Sequence, residues 1–154
     1  MSTTYVFGMV RDAARNVKKG RGSIQKDVAS TVQCVEDQVW VTRDGDRLVV
    51  PEEPEVIELG TWPSDELPPV YVEVCGVRNP STRARNVRYR VACSPGWQIE
   101  FSIIWDAAVV SRYEMEQVVS LGGTLTGIAD GRTAGYGRFK LVDWQVCDDL
   151  SSVA

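Results

Sequence analysis

The segment Gly127-Ile-Ala-Asp-Gly-Arg-Thr-Ala-Gly-Tyr-Gly-Arg-Phe139 concentrates four glycines and two arginines in thirteen residues. It follows a helical pattern and precedes the apolar run 139–146, so it predicts the order helix, loop, strand at the end of the chain. Glycines permit positive φ and close approach of another backbone. Backbone N–H groups of such a loop, with Arg132 and Arg138 beside them, would cradle a phosphate. The alternative is a loop that only joins a helix to a strand.

The N-terminal region predicts helices. Residues 4–19 predict a helix, because apolar residues recur at helical spacing and Gly20 follows. Residues 23–33 predict a second, weaker helix or an irregular excursion that ends in a strand-like segment.

A hairpin and a connector follow. Residues 39–50 predict a hairpin around Asp44-Gly45, a favoured type I′ turn dipeptide. The connector 51–69 is rich in proline and acid, which excludes long regular structure there.

The second half predicts strands and one helix. Alternating apolar residues predict a strand over 70–77, and a loop over 78–85 leads to a returning strand over 87–93. That strand places two arginines on one face, Arg88 and Arg90, and three apolar residues on the other, Val87, Tyr89 and Val91. Residues 97–105 predict an apolar strand. Residues 111–121 predict a helix that begins with a capping box, Ser111 with Glu114.

This order of elements predicts an α+β fold of ferredoxin-like or RRM-like type, an antiparallel sheet with helices on one face. We expect a single domain over 1–154. The hairpin and connector, 37–69, form an insertion in it, and 148–154 form a flexible tail.

The charge distribution indicates anion binding at local sites. The formal net charge is −4, so the chain as a whole is not a basic nucleic-acid binder. Its cations nevertheless cluster. Residues 11–26 hold six cations and one acid, and residues 78–90 hold five arginines and no acid. Basic clusters on an acidic chain favour directed contact with an anion.

The absence of histidine excludes Ser-His-Asp and Cys-His catalysis. The four cysteines, Cys34, Cys75, Cys93 and Cys147, form no CxxC pair and predict buried free thiols. We expect no metal, no cofactor and no catalytic activity.

No apolar run approaches the length of a membrane span and no signal peptide is evident, which predicts a cytoplasmic protein.

The segment 127–137 resembles the C-terminal glycine-rich loop of the RAMP superfamily, the RRM-like proteins of CRISPR effector complexes and crRNA processing. That loop reads glycine-hydrophobic-glycine, a short polar and basic spacer, then glycine-aromatic-glycine, before a terminal strand. Gly135-Tyr136-Gly137 fits this pattern, whereas Ala129 stands at a glycine position. The segment 7–14 resembles the family's early helix. RAMP domains begin with a strand before that helix, and this chain starts almost at the helix.

The resemblance implies binding of RNA or another single-stranded nucleic acid, within a homo-oligomer or a larger complex. An alternative is a phage anti-defence protein that binds a defence complex or sequesters a signalling nucleotide. A third is an assembly subunit whose missing strand a neighbour supplies. The predicted nucleic-acid contacts are Arg11, Arg15, Lys18, Lys19, Arg78, Arg83, Arg85, Arg88, Arg90, Gly127, Arg132, Gly135, Tyr136, Gly137 and Arg138.

Overall fold

The computed structural model describes residues 1–58, 66–79 and 81–148. Helices and mostly antiparallel strands both occur in this part of the chain, which confirms the predicted α+β class. The helices are α1 (Thr4–Ala13), α2 (Gln25–Thr31) and α3 (Arg112–Leu121). The strands are β1 (Lys18–Lys19), β2 (Gly22–Ser23), β3 (Gln33–Cys34), β4 (Val41–Arg43), β5 (Asp46–Arg47), β6 (Val56–Glu58), β7 (Val70–Arg78), β8 (Arg85–Cys93), β9 (Gln98–Ile99) and β10 (Ile103–Ile104).

The chain forms two compact units. The first comprises Met1–Val39 with Glu100–Ala154, and the second comprises Trp40–Ile99. Most of the predicted insertion, 37–69, therefore falls in the second unit, together with the two long strands. From residue 149 onward, the predicted tail lies outside the described residues, as does the connector over 59–65.

The first unit is built on the helices. Their apolar faces supply the side chains that solvent does not reach, among them Val6, Met9, Val10, Val28, Met115, Val118 and Val119. Two short antiparallel ladders complete the unit, β1 with β2 and β3 with β10.

Helix α1 is shorter than the predicted 4–19. It passes into a 3₁₀ turn, Ala14–Asn16, and Val17 is already extended. The Asn16 side chain donates to the Ala13 carbonyl oxygen at 3.2 Å, a local bond that competes with the next helical turn. Gly20, with φ of +59°, then reverses the chain into the β1–β2 ladder. The helix prediction was therefore wrong beyond Asn16, and Lys18 and Lys19 lie on a strand.

Helix α3 begins with the predicted capping box, which is confirmed. The Ser111 hydroxyl accepts from the Glu114 N–H at 3.3 Å, and the Glu114 carboxylate accepts from the Ser111 N–H at 2.9 Å. The hydrogen bond from the Ser111 side chain, followed by that from its backbone, lowers the pKa of Glu114. The cap therefore stabilises the helix most when Glu114 is ionised.

We expect Ser111→Ala to destabilise the first unit by about 1 kcal/mol at neutral pH, because the helix loses its N-cap acceptor. A carboxylate whose pKa is lowered by folding stabilises the fold above its unfolded pKa, and this contribution is lost as pH falls through the folded value. The difference from wild type should therefore shrink in acid. Denaturant melts at neutral and acid pH measure it, with the exposed Ser120→Ala as control; a difference independent of pH would contradict the role of Glu114.

The end of the first unit is irregular, and the predicted final strand over 139–146 is wrong. Within the described residues, that segment forms no ladder. It is held instead by side chains and isolated bonds. The Trp144 ring lies 6.0 Å from that of Trp105, and the Phe139 N–H donates to the Gly123 carbonyl oxygen at 3.2 Å. Among the residues that the structure describes, this strand-like segment makes contacts but has no partner strand.

The second unit contains the predicted hairpin, β4 with β5. Asp44 and Gly45 both have positive φ, 52° and 90°, as a type I′ turn requires. Strand β9 adds to the other side of β4. The predicted strand over 97–105 is therefore wrong in being continuous. It is split into β9 and β10, because the Ser102 N–H donates to the Glu36 carboxylate at 3.0 Å instead of joining a ladder.

The long strands β7 and β8 confirm the two predicted at 70–77 and 87–93. They form an antiparallel ladder from the pair Val70–Cys93 to the pair Arg78–Arg85. Strand β6 lies on the other side of β7 and runs parallel to it. Within the described residues, the order of this sheet is β6–β7–β8.

Candidate nucleic-acid interface

The β7–β8 ladder places a polar pair on its buried side. Glu73 lies directly opposite Arg90 and is only 4% exposed. One Arg90 guanidinium nitrogen lies 4.0 Å from a Glu73 carboxylate oxygen and 3.2 Å from the Cys75 sulfur. Ile57 of β6 is buried on the same side. Arg90, a predicted nucleic-acid contact, is thus held largely within the protein.

The other side of the ladder is apolar and open to solvent. We call it the open face, and it consists of Val72, Val74, Gly76, Arg78, Arg85, Val87, Tyr89 and Val91. On β8, Val87 is 63% exposed, Tyr89 70% and Val91 59%. Strand β6 continues this side with Val56 and with one carboxylate, Glu58. The sheet therefore encloses an ion pair on one side and exposes Val87, Tyr89 and Val91 of β8 on the other, the reverse of the usual arrangement.

Two arginines close one end of the open face. Arg78 and Arg85 are direct cross-strand partners, and both are exposed. Like charges directly opposite each other destabilise a ladder, unless an anion lies between them. An open groove of ≈ 460 Å³ lies here, lined by Gly76, Val77, Arg78 and Arg85. Because Gly76 has no side chain, the floor of this groove stays clear, and the pair is suited to hold a phosphate.

The turn between the two strands is ordered by Asn79. Its side-chain oxygen accepts from the N–H groups of Ser81 at 2.9 Å and Thr82 at 3.2 Å. Its backbone exchanges bonds with Ala84 and Arg83, and Arg83 adopts a positive φ of 57°. The predicted contact Arg83 is therefore an exposed cation on a defined turn, close in sequence to the arginine pair.

The glycine-rich loop of the first unit is closed on itself. The Ile128 N–H donates to the Gly137 carbonyl oxygen at 2.8 Å, and the Gly127 N–H donates to that of Gly122 at 2.7 Å. A side chain at Gly137 would lie 1.9 Å from the Ile128 oxygen. These bonds use amides of the predicted phosphate cradle. Gly127 and Gly137 thus hold two stretches of backbone together.

The remaining loop residues differ in exposure. The Tyr136 ring packs against Gly131, where a Cβ would lie 2.5 Å from a ring carbon, and leaves the side chain 40% exposed. Gly135 and Arg138 are exposed. Arg132 contacts Asp12 of α1 at 3.2 Å.

The cations near the N-terminus mostly contact neighbouring acids. Arg11 and Arg15 both reach Asp12, at 3.1 and 3.5 Å. The Lys19 ammonium donates to Asp27 at 2.8 Å and to the Val109 carbonyl oxygen at 3.1 Å. The hydrogen bond with Asp27 raises the pKa of Lys19. The helix end and β1 thus use these cations in ion pairs, while Lys18 is exposed.

The thiols are free, as predicted, and three of the four are half-buried. Burial raises the pKa of Cys93, and also that of Cys34. Cys147 is exposed, so the prediction of burial was wrong there, because no strand in the described part of the chain pairs with its segment. In the described ranges, no three acid, cysteine or histidine side chains are grouped to hold a metal ion. No helix in the same ranges has the length and apolar character to cross a membrane.

The predicted contacts thus fall into both units, and the second unit brings together the exposed Arg78, Arg83 and Arg85. Arg88 is exposed as well, but it points away from the open face. Tyr89 was not among the predicted contacts, because its neighbours two residues away are both valines. The signal that could have identified it is the run Arg88-Tyr89-Arg90, an aromatic residue between two cations.

Comparison of the chain with protein-family models, with curated proteins and with solved structures gives no match.

Proposed function

We propose that this protein binds single-stranded nucleic acid, RNA in the first instance, on the open face, without catalysis. The observation that supports it best is an exposed aromatic ring on an exposed apolar face, with an arginine pair at one end. Tyr89 offers a ring on which a base can stack, and Arg78 with Arg85 offers a site for a phosphate.

The spacing of these groups suits one strand. Tyr89 and Arg85 lie on the same side of β8, four residues apart, which corresponds to about 13 Å along an extended strand. Val87 lies between them and provides an apolar floor. A single strand that lies along β8 can therefore stack one base and place a backbone phosphate at the groove. A duplex keeps its bases stacked and cannot use Tyr89 in this way.

The charge around the open face supports the same proposal. Between Glu73 and Glu100 the chain has five arginines and no acid. The groove therefore lies in a positive part of an acidic chain. Such a local field favours a polyanion at one surface and limits its binding elsewhere. Glu58, at the β6 margin, would keep phosphates away from that side.

We also propose that the fold is of the ferredoxin-like type and that the chain is related to the RAMP superfamily. Both proposals are supported by the helix that leads into the glycine-rich loop and by an exposed antiparallel ladder with an aromatic residue, the surface that RRM-like sheets use for RNA. The alternative role in anti-defence has no specific support among the described residues.

The double variant Arg78→Gln/Arg85→Gln tests the arginine pair. For single strands the log–log salt slope is about −0.7 for each phosphate neutralised, so we expect the slope to become shallower by about 1.4. The corresponding loss of affinity is roughly 20-fold at 0.1 M salt. Fluorescence anisotropy of a short labelled single-stranded RNA, titrated over a range of salt concentrations, measures both quantities.

The control removes two exposed cations from the first unit, Arg21→Gln/Lys26→Gln. It has the same net charge as the test variant but leaves the open face intact. Equal losses in the two variants would show that only net charge matters. If the unchanged protein binds neither RNA nor DNA single strands, the proposed function is excluded.

A further inference from the structure

We propose that copies of this chain associate head to tail, with the β8 edge of one copy pairing with the β6 edge of the next. The two strands form opposite edges of the same sheet within the described residues. An edge strand presents N–H and C=O groups that a further strand can pair with. In this proposal, β8 of one copy pairs with β6 of a second copy, and β6 of the first copy pairs with β8 of a third. This inference does not depend on the proposed nucleic-acid binding.

Orientation permits this pairing. Strand β6 runs parallel to β7 and β8 runs antiparallel to it, so β6 and β8 have opposite directions in one copy. Two copies in the same orientation therefore bring β8 of the first beside β6 of the second as an antiparallel pair. The open face of each copy then lies on the same side of the joined sheet.

The two edges carry opposite charge. Glu52, Glu53, Glu55 and Glu58 lie on or just before β6, whereas β8 carries the exposed Arg85 and Arg88. The backbone of Glu55 is already part of the sheet, because its carbonyl oxygen accepts from the Val72 N–H at 2.8 Å. The side chains of Glu55 and Arg88 are exposed. Two copies of β8 facing each other would place arginines together, so charge favours β8 with β6.

One antiparallel register satisfies both charge and burial. When Glu55 faces Arg88 of the second copy, Val56 faces Val87. Val56 is 62% exposed and Val87 63%, so this register covers an apolar pair that each copy leaves in solvent. The residues that face each other also lie on the same sides of their sheets. A single alignment therefore pairs opposite charges, brings the two valines together and keeps facing residues on the same side of the joined sheet.

The proposed interface is heterologous, since after one contact each copy still has one sheet edge available for a further copy. It therefore predicts particles larger than dimers, either a closed ring or a filament. Because β6 is short, each contact is small and relies on its ion pairs, so salt should weaken the association.

Charge-reversal variants of the full chain, purified free of nucleic acid, test the interface by analytical ultracentrifugation. We expect wild type to form species beyond dimers as its concentration rises, and Glu55→Lys and Arg88→Glu each to weaken association at least roughly tenfold. Each single variant sets like charges against each other. An equimolar mixture of the two should associate again, because the introduced lysine of one variant then faces the introduced glutamate of the other, while the unchanged partners also face each other. The double variant E55K/R88E should associate as well.

Glu116→Lys, which alters an exposed acid of α3, serves as control and should assemble like wild type. Circular dichroism melts establish that the variants fold. At about 1 mM protein, even an association with a millimolar Kd would be substantially populated. Wild type that is still monomeric at that concentration overturns the proposal. So does a Glu55→Lys variant that associates normally, which would indicate pairing of β8 with β8. Failure of the mixture to associate overturns the register.

Discussion

Tyr89→Ala should weaken binding of single-stranded RNA roughly 30-fold, equivalent to about 2 kcal/mol for one stacked base. Tyr89 is 70% exposed, so removing its ring costs the fold little apolar contact. The loss should therefore appear in affinity and not in thermal stability. Because stacking does not neutralise a phosphate, the salt slope should stay at its wild-type value, unlike that of the variant without Arg78 and Arg85.

Two further variants separate stacking from other effects. Tyr89→Phe keeps the ring and should bind within about twofold of wild type, since the stacked surface is nearly the same. Tyr113→Ala removes a tyrosine that is 69% exposed on α3 of the first unit, and its affinity should not change. If Tyr89→Ala binds as tightly as wild type, no base stacks on this ring and the open face is not the binding surface.

Local signals in the sequence predicted much of the second unit and the start of α3 in the first unit. The turn at Asp44-Gly45 and the capping box at Ser111 depend on a few adjacent residues, and both are confirmed. The strands β7 and β8 were predicted within two residues of their bounds, because alternation and a turn are also short-range features.

The end of the first unit shows why other elements were missed. The segment 139–146 has a strand-like sequence, but a strand exists only when another strand pairs with it. Whether a partner is present depends on residues distant in the chain. In the same way, the stop of α1 depends on the Asn16 side chain and on the β1–β2 ladder that follows.

The sequence also could not predict which side of β8 is buried. Alternation correctly separates Val87, Tyr89 and Val91 from the arginines, but it does not state which group faces inward. The deciding feature is Glu73, which lies opposite Arg90 and is buried with it. Only the register of the two strands places this pair together, and the register makes Tyr89 the exposed aromatic residue of the site.

The second large effect concerns the glycine-rich loop. We expect Gly137→Ala to destabilise the first unit by about 3 kcal/mol, through a backbone clash together with a strained conformation. Gly137 has a φ of +68°, and an added Cβ would lie 1.9 Å from the Ile128 oxygen and 2.8 Å from its nitrogen. These are backbone atoms, so they cannot turn aside as the end of a side chain can. The bond from the Ile128 N–H to the Gly137 oxygen would have to open, and Ile128, only 3% exposed, would lose its buried position.

Gly135→Ala is the matched control for this substitution. Gly135 also has a positive φ, +91°, but no atom of the described residues lies within 4 Å of an added Cβ. It should therefore cost only the conformational strain of about 1 kcal/mol. At a few degrees for each kcal/mol, the two variants should differ in melting temperature by roughly 5 °C. Equal melting temperatures would contradict the close approach of the two backbone stretches, and with it the inference that Gly137 has a structural role.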